Sequence, residues 1–272
     1  MADNNCKHSK RSRFAVPFII QILISAFCLF GTISASAESI TVAVASNFAS
    51  VMPEIAARFE AESGQSIRVA IASTGKLYTQ IINGAPFDVL LAADVEHPKL
   101  LETSGHGVTG SRLTYAIGHL VLWSRDPALS GTDCRGPLEN LGRKRLAIAN
   151  SETAPYGAAA KETLLSLHLW DRVKQRIVVG ESIAQTLQFV VSGNASLGFI
   201  AANQALMERL PQATCIWPVP SKLHHPIEQQ AIQLQRAANN VVATDFMIFL
   251  HGKSAQAIIK RHGYTLPDPV TQ

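Results

Sequence analysis

Cysteine is scarce in this sequence, with four in 272 residues, and tryptophan, tyrosine and methionine are hardly commoner at three, four and four. Charged side chains make up only 16%, and no run of them is long enough to read as a solvated or polyion-binding tail. Also missing are a G-x-S-x-G elbow, a Walker loop and an HExxH pair, and no glycine fingerprint of dinucleotide folds stands between a strand and a helix; Gly105 to Gly110 has its spacing alone. Those are the compact signatures of acyl transfer, nucleotide hydrolysis, zinc proteolysis and NAD or FAD binding. The nine histidines are scattered without metal-ligand spacing, and the adjacent His224 and His225 would face opposite ways in an extended chain. Pattern therefore prescribes no nucleophile, base or metal set. A Ser/His/Asp triad could be assembled only by free choice among many residues.

The one long apolar run lies at the start. Lys7, Lys10, Arg11 and Arg13 precede an apolar stretch from Phe14 to about Ile33, and Ala35-Ser36-Ala37 offers small residues to a signal peptidase. Residues 1–37 read as a secretory signal cleaved near Ala37. The alternative is an uncleaved anchor, against which Gln21 and several small residues interrupt the run; a lipoprotein start at Cys28 is opposed by the bulky Phe27 before it. No later segment is long and apolar enough to cross a bilayer. Removing 1–37 takes away four Lys/Arg and one acid, leaving 20 basic against 19 acidic residues. The basic character thus belongs to the leader, and no nucleic-acid partner is implied. Cys6 and Cys28 leave with it. Cys134 and Cys215 remain, a pair that suits one disulfide in an oxidising compartment or else two separate buried thiols. The remaining 235 residues fit one large domain or two lobes of about 100 to 120 each.

What fills this length is an alternation of strand and helix. Ile40 to Ala45 reads as a strand and about Ala49 to Ser63 as a helix, with Val51, Ile55, Ala56 and Phe59 on one face and Gly64 as its stop. Ile67 to Ala72 is a second strand, about Lys76 to Asn83 a helix ended by Gly84 and Pro86, and Phe87 to Ala92 a third strand. Such alternation predicts a parallel sheet covered by helices. The apolar stretch Leu113 to Ser124 is too long for one ordinary strand and predicts a crossing between lobes. Strands then recur over Arg145 to Ala149, Ile177 to Val179 and Leu197 to Ala201, with helices over Ala158 to Leu167 and Ile183 to Ser192. Ile227 to Leu234 and a helix from about Thr244 to His262 lack a sheet of their own and are expected to return to the first lobe. Two crossovers make a hinge. The expected division is a first lobe over 38–119, a second over 120–226 and a return segment over 227–272.

One repeat within this pattern carries chemistry. Val42-Ala43-Val44-Ala45-Ser46 is echoed 27 positions later by Val69-Ala70-Ile71-Ala72-Ser73. Each strand ends in hydroxyl or amide residues, Ser46-Asn47 and Ser73-Thr74-Gly75, and runs into a helical pattern. Such a junction aims a helix's unpaired N–H groups and the positive end of its dipole above the strand ends. Two neighbouring junctions suit one small oxyanion. Ser46, Asn47, Ser73 and Thr74 also belong to the classes that cap helices; capping accounts for a single junction, whereas the repetition favours a ligand. Lys76 is either a counter-charge or a solvated lysine. Tyr156, at the start of another helical run, either offers its O–H to an anion or packs there.

In their order, Val42-Ala43-Val44-Ala45-Ser46-Asn47-Phe48, Ser73-Thr74-Gly75-Lys76-Leu77-Tyr78, Asn83-Gly84-Ala85-Pro86-Phe87-Asp88-Val89, Ala92-Ala93-Asp94 and Ala154-Pro155-Tyr156-Gly157-Ala158-Ala159-Ala160-Lys161 resemble the periplasmic molybdate-binding proteins of ABC uptake systems. So do Ile183-Ala184-Gln185-Thr186 and Gly193-Asn194-Ala195-Ser196-Leu197-Gly198-Phe199, so that the likeness spans the exported chain. It implies an α/β, two-lobed, type II periplasmic binding protein, each lobe a mainly parallel sheet flanked by helices, with the oxyanion in the interlobe cleft. It further implies molybdate, and tungstate with it, as ligand, no cofactor and no catalytic residue, a membrane permease as partner, a monomer, and a periplasmic location. Carried over residue by residue, first-lobe contacts fall on Ser46, with Asn47 beside it, and on the hydroxyl residue at Thr74, to which the repeated junction adds Ser73 as a candidate. Second-lobe contacts fall on Tyr156 and the backbone N–H of Ile183. Ser46, Thr74, Tyr156 and Ile183 would thus surround the metal only as an oxyanion. Some members add a tyrosine from the strand after Leu197-Gly198; that place is Ala201 here, which leaves Tyr156 to supply a phenol. Neutral donors alone would make binding insensitive to pH between about 6 and 8 and would exclude a protonated anion, whose O–H needs an acceptor. Size would separate molybdate from sulfate. Two alternatives stay open: a binding protein for sulfate, thiosulfate or phosphonate, and a secreted hydrolase.

Overall fold

In a computed structural model that describes residues 39–268, the first alternation folds as β1 (Ser39–Ala45), α1 (Met52–Ser63), β2 (Ser66–Ala72), α2 (Thr74–Ile82), β3 (Val89–Leu91) and α3 (Glu96–Thr103). The leader expected at 1–37 lies outside the described residues. The chain continues through β4 (Leu113–Gly118), β5 (Leu120–Ser124), β6 (Leu146–Ala149), α4 (Pro155–Ser166), β7 (Ile177–Gly180), α5 (Ile183–Val191), β8 (Leu197–Ala201) and β9 (Cys215–Pro218). It ends with β10 (Ile227–Gln233), α6 (Val241–His251) and α7 (Lys253–Arg261), with short helical turns between the longer elements. No helix among the described residues is long and apolar enough to cross a membrane.

Two five-stranded sheets result, in the orders β2-β1-β3-β10-β4 and β7-β6-β8-β5-β9. In each, the first three strands are mutually parallel and the fourth runs antiparallel to both its neighbours. Each odd strand sits beside a crossover. β5 arrives directly from the first sheet, and β10 arrives from the second.

Side-chain alternation along the strands builds a core on both faces of each sheet. Ile40, Val42 and Val44 of β1 pack with Met52, Ile55 and Phe59 of α1 and Phe246 of α6, whereas Ala43 joins Leu77 and Ile81 of α2 and Leu101 of α3. Leu120 and Leu122 of β5 pack with Leu164 of α4; Val121 and Trp123 pack with Leu187 and Val190 of α5. Each such buried aliphatic or aromatic side chain stabilises the fold by about 1.5–3 kcal/mol relative to exposure. Gly64 ends α1 at φ 73°, its N–H bonded to the Glu60 carbonyl, as the sequence predicts.

Four elements differ from expectation. The apolar stretch across 113–124 is two strands broken at His119, one in each sheet. The helix expected over 244–262 is two helices, because Gly252 takes an extended conformation at φ −73°, ψ 160° and turns the chain. α3 and β9 carry no clear period: Glu96–Thr103 buries only Pro98 and Leu101, and β9 is an edge strand of four residues ending in Pro218, a position where proline is tolerated.

Cys134 and Cys215 are joined, with Cα atoms 5.3 Å apart, which ties the edge strand β9 to the segment entering the turn at Arg135–Glu139. The bridge closes a sequence separation of 81 residues, so its loss should destabilise by about 2–5 kcal/mol. Residues 38–272 should therefore show no free thiol in denaturant until reductant is added. Thiol titration checks this, and two reactive thiols without reductant would refute the bridge.

Candidate ligand-binding site

β1 and β2 pair in parallel with Val42 opposite Val69, Ala43 opposite Ala70, Val44 opposite Ile71 and Ala45 opposite Ala72. The two echoing segments therefore lie side by side, residue for residue. Ser46 and Ser73, one step further, leave adjoining strand ends at the same level. In the second sheet β6 and β7 end together at Ala149 and Gly180, and α4 and α5 start just beyond. These junctions meet at one cavity, whose walls include Ser46, Asn47, Ser73, Thr74, Tyr156 and Ile183. Every site residue expected from the sequence is there, and Ala45, Ala93, Ala154 and Pro155 complete the lining. The six are buried, none more than 6% exposed. The cavity has about 180 Å³ of empty space, of which about 10 Å³ admits the centre of a water-sized sphere. That is room for one water or one small ion.

The hydroxyls there are not used as caps. Ser73 occupies the N-cap position of α2 yet makes no side-chain capping bond, and its Oγ is buried without a partner. Thr74 Oγ1 accepts the Ala93 N–H at 3.0 Å, which leaves its own O–H as the remaining donor. Capping does occur elsewhere: Ser182 Oγ accepts the Gln185 N–H at 3.3 Å, and Asn240 Oδ1 accepts that of Val242 at 2.9 Å. The backbone adds donors. First-turn N–H groups have no intrahelical acceptor, and those of Thr74, Tyr156 and Ile183 take none elsewhere among the described residues. Gly75 instead sends its N–H across the cleft to the Thr153 carbonyl at 2.9 Å.

Two side chains are occupied differently from expectation. Asn47 Nδ2 donates to Gln229 Oε1 at 2.9 Å and to Tyr264 Oη at 3.0 Å, so both amide protons are taken and only the backbone of Asn47 faces a ligand. Tyr156 Oη accepts from Gln229 Nε2 at 3.2 Å. The phenol thus ends at the crossover instead of covering the cavity, and the Tyr156 N–H is its donor to the site. The reason is directional: N–H groups at a helix start point along the axis, while the side chain leaves sideways. Ala201, buried in β8, is not part of the lining. Burial pushes the Tyr115, Tyr156 and Tyr264 hydroxyls up, well beyond the ordinary phenol range for the first two. They remain neutral. Among the described residues no carboxylate, lysine or arginine lines the cavity.

Sequence reasoning missed the residues that make closure possible. A Cβ at Gly75 would stand 3.0 Å from the Thr153 Cα. One at Gly118 would fall onto Tyr156 Oη and within 2.7 Å of Gln229 Nε2. A glycine inside a strand pattern, as in Ala116-Ile117-Gly118, is the available signal for such close approach. Lys76 is at the rim, where its Nζ pairs with Glu181 across the cleft at 2.6 Å; half-exposed, this pair contributes at most about 1 kcal/mol. A larger neighbouring pocket, with about 1070 Å³ of empty space, carries Asp94, Glu96, Glu152, Glu162 and Glu228 on its walls. Its charge is of the wrong sign for an anion.

Two sheets hinged by crossover strands, with a small enclosed cavity of neutral donors between them, define a solute-binding protein. Residues 40–265 match the family model described as bacterial extracellular solute-binding protein. The chain is 44% identical over 234 residues to the molybdate-binding protein ModA of Azotobacter vinelandii, covering 86% of this chain and 92% of that one. It is 39% identical over 230 residues to ModA of Rhodobacter capsulatus, covering 85% and 89%. The solved periplasmic molybdate-binding protein of Azotobacter vinelandii aligns with a TM-score of 0.79 at 37% identity, over 84% of this chain and 99% of that one. The chain belongs to the family of these molybdate-binding proteins, and it is a binding protein, not an enzyme.

The contrast between Ser73 and Ser182 is directly measurable. Ser182→Ala removes a real cap and should cost about 0.5–2 kcal/mol of stability. Ser73→Ala removes a buried hydroxyl without a partner and should leave the ligand-free protein as stable as the parent, or slightly more so. Urea denaturation decides; equal losses in the two variants would show that Ser73 caps α2 after all.

Proposed function

We propose that the protein captures molybdate, and tungstate by the same contacts, in the cavity between its lobes, and delivers it to the membrane permease of an ABC transporter. The observation that carries this reading is the lining itself: a small space whose polar groups are hydroxyls and N–H groups, with no charged side chain among the described residues and an unpaired Ser73 hydroxyl. A tetrahedral dianion leaving water needs several hydrogen bonds, each charge-assisted one stabilising by about 1.5–3 kcal/mol. Ser46, Ser73 and Thr74 offer hydroxyls from one lobe, with the N–H groups of Asn47 and Thr74 beside them; Tyr156 and Ile183 offer N–H groups from the other. An anion held from both sides joins the lobes. The lobes in this proposal are 38–119 with 227–272, and 120–226. The relatives' names support molybdate, and the leader sequence supports export with cleavage near Ala37 to a periplasmic monomer.

Ligand that binds only the folded state stabilises it by RT ln(1 + [L]/Kd), about 2.7 kcal/mol at a hundredfold excess over Kd. Micromolar molybdate should therefore raise the melting temperature, while sulfate at the same concentration changes it little. Equal shifts would remove the selectivity. Because no carboxylate, histidine, lysine or arginine lines the cavity among the described residues and burial holds the nearby Tyr156 phenol protonated, affinity should vary less than about threefold between pH 6 and 8.

Ser46→Ala and Thr74→Ala each delete one donor. By calorimetric titration each should weaken molybdate binding by about 1.5–3 kcal/mol, tenfold to more than a hundredfold. Parental affinity in both variants would mean that the anion sits elsewhere.

A further inference from the structure

Gln229 lines no wall of the cavity, yet it is fully buried and joins both walls. It lies on β10 where the register with β4 slips between Gln229 and Gln230, a bulge of the kind that re-aims a side chain. Its Oε1 accepts from Asn47 Nδ2 at 2.9 Å and from Tyr115 Oη at 3.1 Å, and its Nε2 donates to Tyr156 Oη at 3.2 Å. An amide has one acceptor end and one donor end. With two donors on Oε1, the amino end is the one that faces Tyr156. Asn47 belongs to the turn that carries Ser46, and Tyr156 to the first turn of α4. One side chain therefore spans from the first-lobe donors to the second-lobe donors. Tyr264 braces the same turn, accepting from Asn47 Nδ2 at 3.0 Å and donating to the Asn47 carbonyl at 3.1 Å. Gly118 supplies the space in which Tyr156 Oη and Gln229 Nε2 meet.

We propose that Gln229 is a positioning residue that sets the separation between the two lobes' oxyanion donors, and so the size of tetrahedral anion that the closed cavity prefers. This rests on the oxyanion reading above. A fully satisfied buried network is rigid because loosening it strands polar groups away from water. At 3.2 Å the bond to Tyr156 is already at the long end of the normal range, so the lobes cannot separate further and keep it. A spacing held in this way fits one ion radius; a smaller ion is left with stretched bonds on one side.

The test measures molybdate affinity, and sulfate affinity by competition, on the parent, Gln229→Met and Tyr156→Phe. Gln229→Met keeps the volume and removes the three bonds. Tyr156→Phe removes the phenol's bonds to Gln229 and to Tyr264 and leaves the Tyr156 N–H in place. Gln229→Met should weaken molybdate at least tenfold and sulfate less than threefold, narrowing the preference. Tyr156→Phe should weaken molybdate about three- to tenfold, with the same narrowing. If Gln229→Met does not fold, Tyr156→Phe carries the test alone. Parental affinity in a folded variant, or losses for the two anions by the same factor, would overturn the proposal, since a merely structural residue would not move their ratio. A parent that prefers sulfate overturns the molybdate reading alone, and the variants then report whether that reversed preference narrows. A parent that binds neither anion ends both.

Discussion

The in-register parallel pairing of β1 with β2 is the constraint on which the site depends. Ala45 opposite Ala72 brings Ser46 and Ser73 out at one level, and small side chains at the strand ends let the following turns approach the same point. The first-turn N–H groups of α2 then share that point with those of α4 and α5 from the second sheet. A one-residue slip in the pairing would separate the two hydroxyls.

Converging donors leave a cavity with much to give and nothing to accept. Each such group left unpaired would cost about 1–3 kcal/mol, which an occupant of the cavity, water or ion, offsets by accepting from it. Among the described residues the direct bonds between lobes include Gly75 to Thr153 at 2.9 Å, Asn203 Nδ2 to the Asn47 carbonyl at 2.8 Å and to Ser50 Oγ at 3.3 Å, the Tyr156 hydroxyl with Gln229 at 3.2 Å and with Tyr264, and the exposed Lys76–Glu181 pair. Such a contact set suits a reversible closure, because each bond has water as a ready alternative when the lobes part. Neutral donors also keep the site free of the desolvation penalty that a buried lysine or arginine would bring.

Much of this was legible in the linear sequence. Strand and helix periods, the Gly64 stop, the repeated junction and the single cysteine pair all act over a few residues, where propensity and turn chemistry operate directly. They determined the α/β class, the two-fold repetition of the alternation and the Ser46-Asn47 and Ser73-Thr74 part of the cavity lining; Ile183 was implied only by the family resemblance. Tertiary structure decided how those residues are used. Asn47 is held by Gln229, 182 positions away, and by Tyr264, 217 positions away, so its amide is occupied and only its backbone remains for a ligand. The Tyr156 phenol turns to the crossover, Ser73 is left uncapping, and Gly118 is needed for space, none of which has a local period. Hydrogen-bond partners are chosen by distance in space. A buried polar group takes whatever donor or acceptor the packing of distant strands brings within about 3 Å, and that choice exists only once both sheets have formed and met.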